Sequence, residues 1–118
     1  MPANKAFDLL RASAPTISVG ILSADLMRLG SALALLEGTD IKAIHFDVMD
    51  GCFVPMMTAG PPLIKTVKTH LLKDVHLMIQ DPQLKVGDYI DAGADVITRL
   101  ASFGTKQTLI FLKKVSVS

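Results

Sequence analysis

The sequence predicts an α/β protein built on a parallel sheet, and three features of its 118 residues carry that expectation. Short runs rich in β-branched and apolar residues alternate with stretches whose leucines recur at helical spacing. Each strand–helix pair takes about 25–30 residues, the length of a βαβ repeat rather than of a hairpin. Gly and Pro punctuate the runs without any low-complexity segment or linker, so the chain reads as a single domain. Four such units fit the 118 residues. That suits either a small doubly wound sheet or half of an eight-stranded (β/α) barrel, which takes ~250 residues. Periodicity alone does not choose between them.

The first strand is read at Thr16 to Leu22 (TISVGIL). Ser23 stands at the N-cap position of the following helix, and Asp25 lies in its first turn, where a carboxylate meets the positive end of the helix dipole. Leu26, Leu29, Leu33 and Leu36 supply the buried stripe, and Gly38 ends the segment. Lys42 to Met49 (KAIHFDVM) reads as the second strand. After a loop with Gly51, Pro55 and Gly60, Pro61 and Pro62 open the second helix, because proline fits the first turn. Ile64, Val67 and Leu71 form its stripe, and His70 at its end complements the dipole. Lys73 to Ile79 is the third strand, Asp81-Pro82 a cap and first-turn proline, Leu84 to Ala92 a helix closed by Gly93, and Asp95 to Leu100 the fourth strand. Thr105 to Val115 is read as a fourth helix, with Leu109, Leu112 and Val115 on one side.

Composition excludes several classes. Half of the residues are hydrophobic, 19% are charged and the net charge is +1, which is not the make-up of a disordered tail. No run of Lys and Arg provides the electrostatic footprint of a nucleic-acid binder. Met1 to Ala14 carries Asp8 and Arg11 and does not read as a secretory signal. No stretch approaches the ~20 apolar residues of a membrane span. The single cysteine, Cys52, has no partner for an internal disulfide and reads as a non-catalytic thiol. A soluble cytoplasmic protein is expected.

Side chains two apart on a strand share a face. His45, Asp47 and Met49 therefore lie together on the second strand, and Asp74, His76 and Met78 on the third. If the two strands are neighbours, imidazole, carboxylate and imidazole converge near the C-terminal end of the sheet, where α/β folds build their sites. Two His and an Asp suit Zn²⁺ or Fe²⁺. A carboxylate beside such a cation is also a proton acceptor, while the cation stabilises charge on a neighbouring carbonyl oxygen. The plainer alternative stays open: a hydrogen-bonded His–Asp pair, two methionines packed in a core, and Asp50-Gly51 as an ordinary turn.

The segments ILSAD (Ile21 to Asp25), HFDVMDG (His45 to Gly51), FVP (Phe53 to Pro55), GPP (Gly60 to Pro62), DVHLM (Asp74 to Met78) and AGADVIT (Ala92 to Thr98) resemble the N-terminal half of the ribulose-phosphate 3-epimerase family. They occur in that family's order and spacing from residue 16 to 98, and more weakly to 114. The resemblance implies a (β/α) barrel of TIM type, of which about the first four βα units are present. It implies an isomerase of the pentose phosphate pathway that interconverts D-ribulose 5-phosphate and D-xylulose 5-phosphate at C3. His45, Asp47 and His76 match three of the family's four ligands to a divalent cation, Zn or Fe foremost, with Mn or Co as alternatives. Asp47 also matches one of two acid–base aspartates. Met49 and Met78 match the methionines that cap the intermediate, and His76 touches substrate as well.

Gly20 stands at the position of a substrate-contacting serine, after Val19 in place of proline. Cys52 replaces a His, Met56 an Asn, and Leu100 and Ser102 a His and a Glu of the fourth strand. The second acid–base aspartate and the phosphate-gripping loops belong to the family's seventh and eighth strands, so the chain is expected to be truncated relative to the family. Exposed edges at the first and fourth strands lead to an expectation of self-association, or of pairing with a missing C-terminal half. The alternatives are a non-catalytic remnant or half-barrel assembly module, and an epimerase of a related ketose phosphate.

Overall fold

Strands run through the sheet in chain order. The computed structural model of the chain describes residues 5–12, 17–100 and 107–111. Strands β1 (Ser18–Gly20), β2 (Ala43–Met49), β3 (Leu72–Met78) and β4 (Val96–Leu100) pair in parallel, in that order. A doubly wound sheet reverses its strand order at a switch point, whereas a barrel wall never does. The alternation of strands and helices in this order is therefore that of part of a TIM-type barrel.

The crossovers hold helices α2 (Leu29–Glu37), α3 (Pro61–Thr66) and α4 (Pro82–Asp91), and α1 (Lys5–Ala12) precedes β1. The helices cover one face of the sheet. Ile44, Phe46 and Val48 of β2 and Val75 and Leu77 of β3 are buried there with Leu33 of α2, Ile64 of α3 and Tyr89 of α4. The opposite face begins with a small apolar layer of Ala43, Leu72 and Val96 at the N-terminal ends of the strands. Beyond it stand the half-buried polar residues of β2 and β3. One face is thus a core and the other is left for chemistry.

Most punctuation acts as expected. Pro61 and Pro62 open α3, Pro82 opens α4, and Gly38 caps α2, its N–H donating to the carbonyl of Leu35 while the Thr39 N–H donates to that of Leu36. Gly93, at φ +100°, takes the left-handed turn after α4 that a side chain would resist. Among the described residues no helix is long and apolar enough to cross a membrane.

Four expectations need correction. Ser23 is not an N-cap: its hydroxyl donates to the carbonyl of Gly20. Asp25 caps instead, accepting from the Met27 N–H at 3.0 Å, and the segment enters through a 3-10 turn (Leu26–Arg28) before α2. His70 lies beyond the end of α3, with Nδ1 4.0 Å from Glu37, so it serves no dipole there. The largest difference falls on the expected fourth helix. Residues Gln107–Phe111 form β5, antiparallel to β4, with Ile97 opposite Ile110 and Thr98 opposite Leu109. The free backbone groups along β4 offer a ladder to the β-branched and aromatic residues of this segment, and that outweighs a weak leucine spacing. β4 is consequently not an exposed edge, and the ends of the expected helix at 105–106 and 112–115, like Ser102, lie outside the described residues.

Candidate metal centre

Parallel pairing without slippage assembles the site. The register sets Gly20 beside His45 and His45 beside Asp74, then Asp47 beside His76, then Met49 beside Met78. Neighbouring strands lie about 4.8 Å apart, so each such pair is in side-chain contact range. Because side chains alternate, all of these residues share the face away from the helices.

Asp47 is the hub. Its Oδ1 lies 2.9 Å from His45 Nε2 and 3.4 Å from His76 Nδ1. The two imidazole centroids are 6.0 Å apart. On its other side His45 Nδ1 is 2.8 Å from Asp74 Oδ2, and that same oxygen accepts the Ser18 hydroxyl at 2.9 Å. His45 is thus flanked by two carboxylates. The hydrogen bond to Asp74, reinforced by the charges of both carboxylates and opposed by burial, pushes its pKa up to about 9.

The same donors are able to hold a divalent cation. One ligand atom from each of His45, Asp47 and His76 lies within 4.8 Å of the others. His76 Nε2 is buried and has no hydrogen-bond partner among the described residues, whereas buried ring nitrogens are ordinarily paired. Nitrogen, carboxylate oxygen and nitrogen is a donor set for borderline transition cations, so the residues present fit such an ion.

The remaining positions fall around this centre. Met49 and Met78 form the half-buried row next to it toward the C-terminal ends of the strands. At Gly20 an added Cβ would meet no atom within 4 Å. Cys52 and Met56 are exposed in the loop after β2. Among the described residues, a groove of about 470 Å³ runs between α2 and α3, lined by Leu33, Leu63 and Val67 and apart from the His–Asp cluster.

Three supporting residues escaped the sequence reading. Asp74 was placed on the correct face, yet its bond to His45 depends on a register that a single strand does not reveal. Ser18, which anchors Asp74, carries no motif. Thr58 donates its hydroxyl to the Asp47 carbonyl and accepts the Met49 N–H, clamping the end of β2, and it too stands outside any recognisable pattern. Asp50-Gly51 is a turn as expected, with Gly51 at φ +77°. Its carboxylate does more than turn the chain, because it accepts the N–H groups of Gln80, Cys52 and Phe53 and so ties the loop after β2 to the end of β3. Those bonds, Gln80's foremost, hold Asp50 down at about 2.

Residues 16–114 match the model of the ribulose-phosphate 3 epimerase family. The ribulose-phosphate 3-epimerase of Treponema pallidum is 45% identical over 85 residues, which are 70% of this chain and 39% of the relative. The chloroplastic ribulose-5-phosphate-3-epimerase of Arabidopsis thaliana is 41% identical over 98 residues, 81% of this chain and 35% of the relative. The Escherichia coli K12 enzyme is 44% identical over 87 residues, 70% of this chain and 38% of the relative. The chain therefore spans well under half the length of these curated relatives.

Proposed function

The chain belongs to the ribulose-phosphate 3-epimerase family, and from that premise we propose that it supplies the cation-holding half of an isomerase that interconverts D-ribulose 5-phosphate and D-xylulose 5-phosphate by proton transfer at C3. The observation that carries this reading is the convergence of His45, Asp47 and His76 from adjacent strands, with His76 Nε2 buried and unpartnered among the described residues. These three residues would hold the cation, Zn or Fe foremost and Mn or Co as alternatives. When bound, the cation stabilises negative charge on the substrate oxygen next to the reacting carbon.

The chain's own residues do the rest of this half. Asp47 Oδ1 is engaged by both imidazoles, which leaves Oδ2 to serve one face of C3, taking the proton from one epimer and, in the reverse direction, delivering a proton to form that epimer. Met49 and Met78 wall the site with polarizable, uncharged groups that admit a planar intermediate without competing for its proton. His76 and the Gly20 position border the substrate.

Inversion at carbon needs a second acid–base group on the opposite face. Asp74 does not fill that role, since it stands on the same face of the same sheet as Asp47. We place the second carboxylate and the phosphate-binding backbone outside the described residues, either on the same polypeptide or on a partner half. The open space beside Gly20 favours a second reading, a related ketose phosphate as substrate.

The test is an epimerase assay on the purified chain, alone and mixed with the C-terminal half of a relative. Turnover is expected only in the mixture. Turnover by the chain alone would place both proton-transfer groups within it. Cation binding with no turnover in either case would favour a non-catalytic half-barrel module.

A further inference from the structure

In neutral imidazole one nitrogen carries the proton and the other the lone pair, and a cation takes only the lone pair. His45 has a carboxylate on each side, Asp74 at Nδ1 and Asp47 at Nε2, so the ring alone does not decide which nitrogen faces the cluster. The surroundings of Asp74 decide it. Its Oδ2 receives both the His45 Nδ1 contact at 2.8 Å and the Ser18 hydroxyl at 2.9 Å, and its side chain is less exposed than that of Asp47 (21% against 42%). Three strands contribute to this chain of contacts: Ser18 from β1, His45 from β2 and Asp74 from β3.

We propose that Asp74, anchored by Ser18, is a positioning residue that fixes the proton of His45 on Nδ1 and so presents Nε2 to the cation shared with Asp47 and His76. This rests on the cation-holding role given above to His45. Partners in such carboxylate–histidine pairs set ring orientation and raise ligand basicity, and their loss costs about 10–100-fold in metal affinity.

Zinc titration and long-range ¹H–¹⁵N spectra of the imidazoles test it on the full chain, with Asp74→Ala, Asp74→Asn and Ser18→Ala. Wild type is expected to show a slowly exchanging, downfield Nδ1 proton on His45. Asp74→Ala is expected to lose that signal and about 10–100-fold in zinc affinity. Asp74→Asn should recover part of both, because an amide carbonyl still accepts from Nδ1. Ser18→Ala, on an exposed edge position, should shift both in the same direction by less, and it remains informative if Asp74→Ala does not fold. Zinc affinity unchanged in all three variants would overturn the assignment, as would a wild-type His45 protonated on Nε2 alone. If wild type binds no zinc but the Nδ1 proton is present and vanishes with Asp74, the positioning stands and the cation reading falls.

Discussion

His76 pairs one ring nitrogen with Asp47 at 3.4 Å, and its other is buried with no hydrogen-bond partner among the described residues. A buried polar atom without a partner costs about 1–3 kcal/mol, whereas an apolar side chain of similar size avoids that penalty. His76→Leu is therefore expected to raise the urea-unfolding stability of the metal-free chain by about 1 kcal/mol while abolishing cation retention. A loss of stability would show that Nε2 is satisfied in the folded protein. Asp50 governs the acid limb. Its carboxylate is held at about 2 against an ordinary 3.8, so its contribution is present above the ordinary value and is lost as pH falls toward 2. The stability gap between wild type and Asp50→Asn should narrow through that window in urea melts at successive pH values; a constant gap would contradict the three backbone bonds to this carboxylate. How far these residues were readable differs by cause. His45, Asp47, His76, Met49 and Met78 follow from alternation along two strands, a local property. Asp74, Ser18 and Thr58 act through partners 29, 56 and 11 positions away, which no local pattern encodes.

Among the elements, β2 holds the fold and the site together. Ile44, Phe46 and Val48 point into the helix-covered core while His45, Asp47 and Met49 point away from it. Phe46 is fully buried, and truncating such a ring leaves a cavity worth about 3–5 kcal/mol. Phe46→Ala should lower the unfolding free energy by that amount, and a loss below about 1 kcal/mol would place the side chain outside the core. The four parallel strands, α2, α3 and α4 were legible because their Pro and Gly boundaries coincide with changes of period. β5 was not. Residues 107–111 carry both a leucine spacing and strand-forming Thr, Ile and Phe, and the deciding factor is the unpaired edge of β4, a tertiary partner. The entry to α2 misled for a related reason, since Ser23 and Asp25 are both able to cap and only the backbone path selects Asp25.

Across the whole molecule, the sequential strand order gives a sheet with one helix-covered face and one face that carries the His–Asp cluster. β1 is a three-residue strand at one margin of the sheet and β5 forms the other. Exposed Ile17, Met27, Leu35, Met56 and Met57 add apolar surface. Open edges and apolar surface favour association, so sedimentation over a concentration series is expected to show species larger than one chain. A single monomeric species throughout would mean that the open face is tolerated in water. The cation centre is the feature on which fold, family and chemistry meet, and zinc titration of the purified chain examines it most directly. One ion per chain is expected, with binding lost when both His45 and His76 are changed to alanine. Stoichiometric zinc retained by that double variant would contradict the assignment of those two imidazoles.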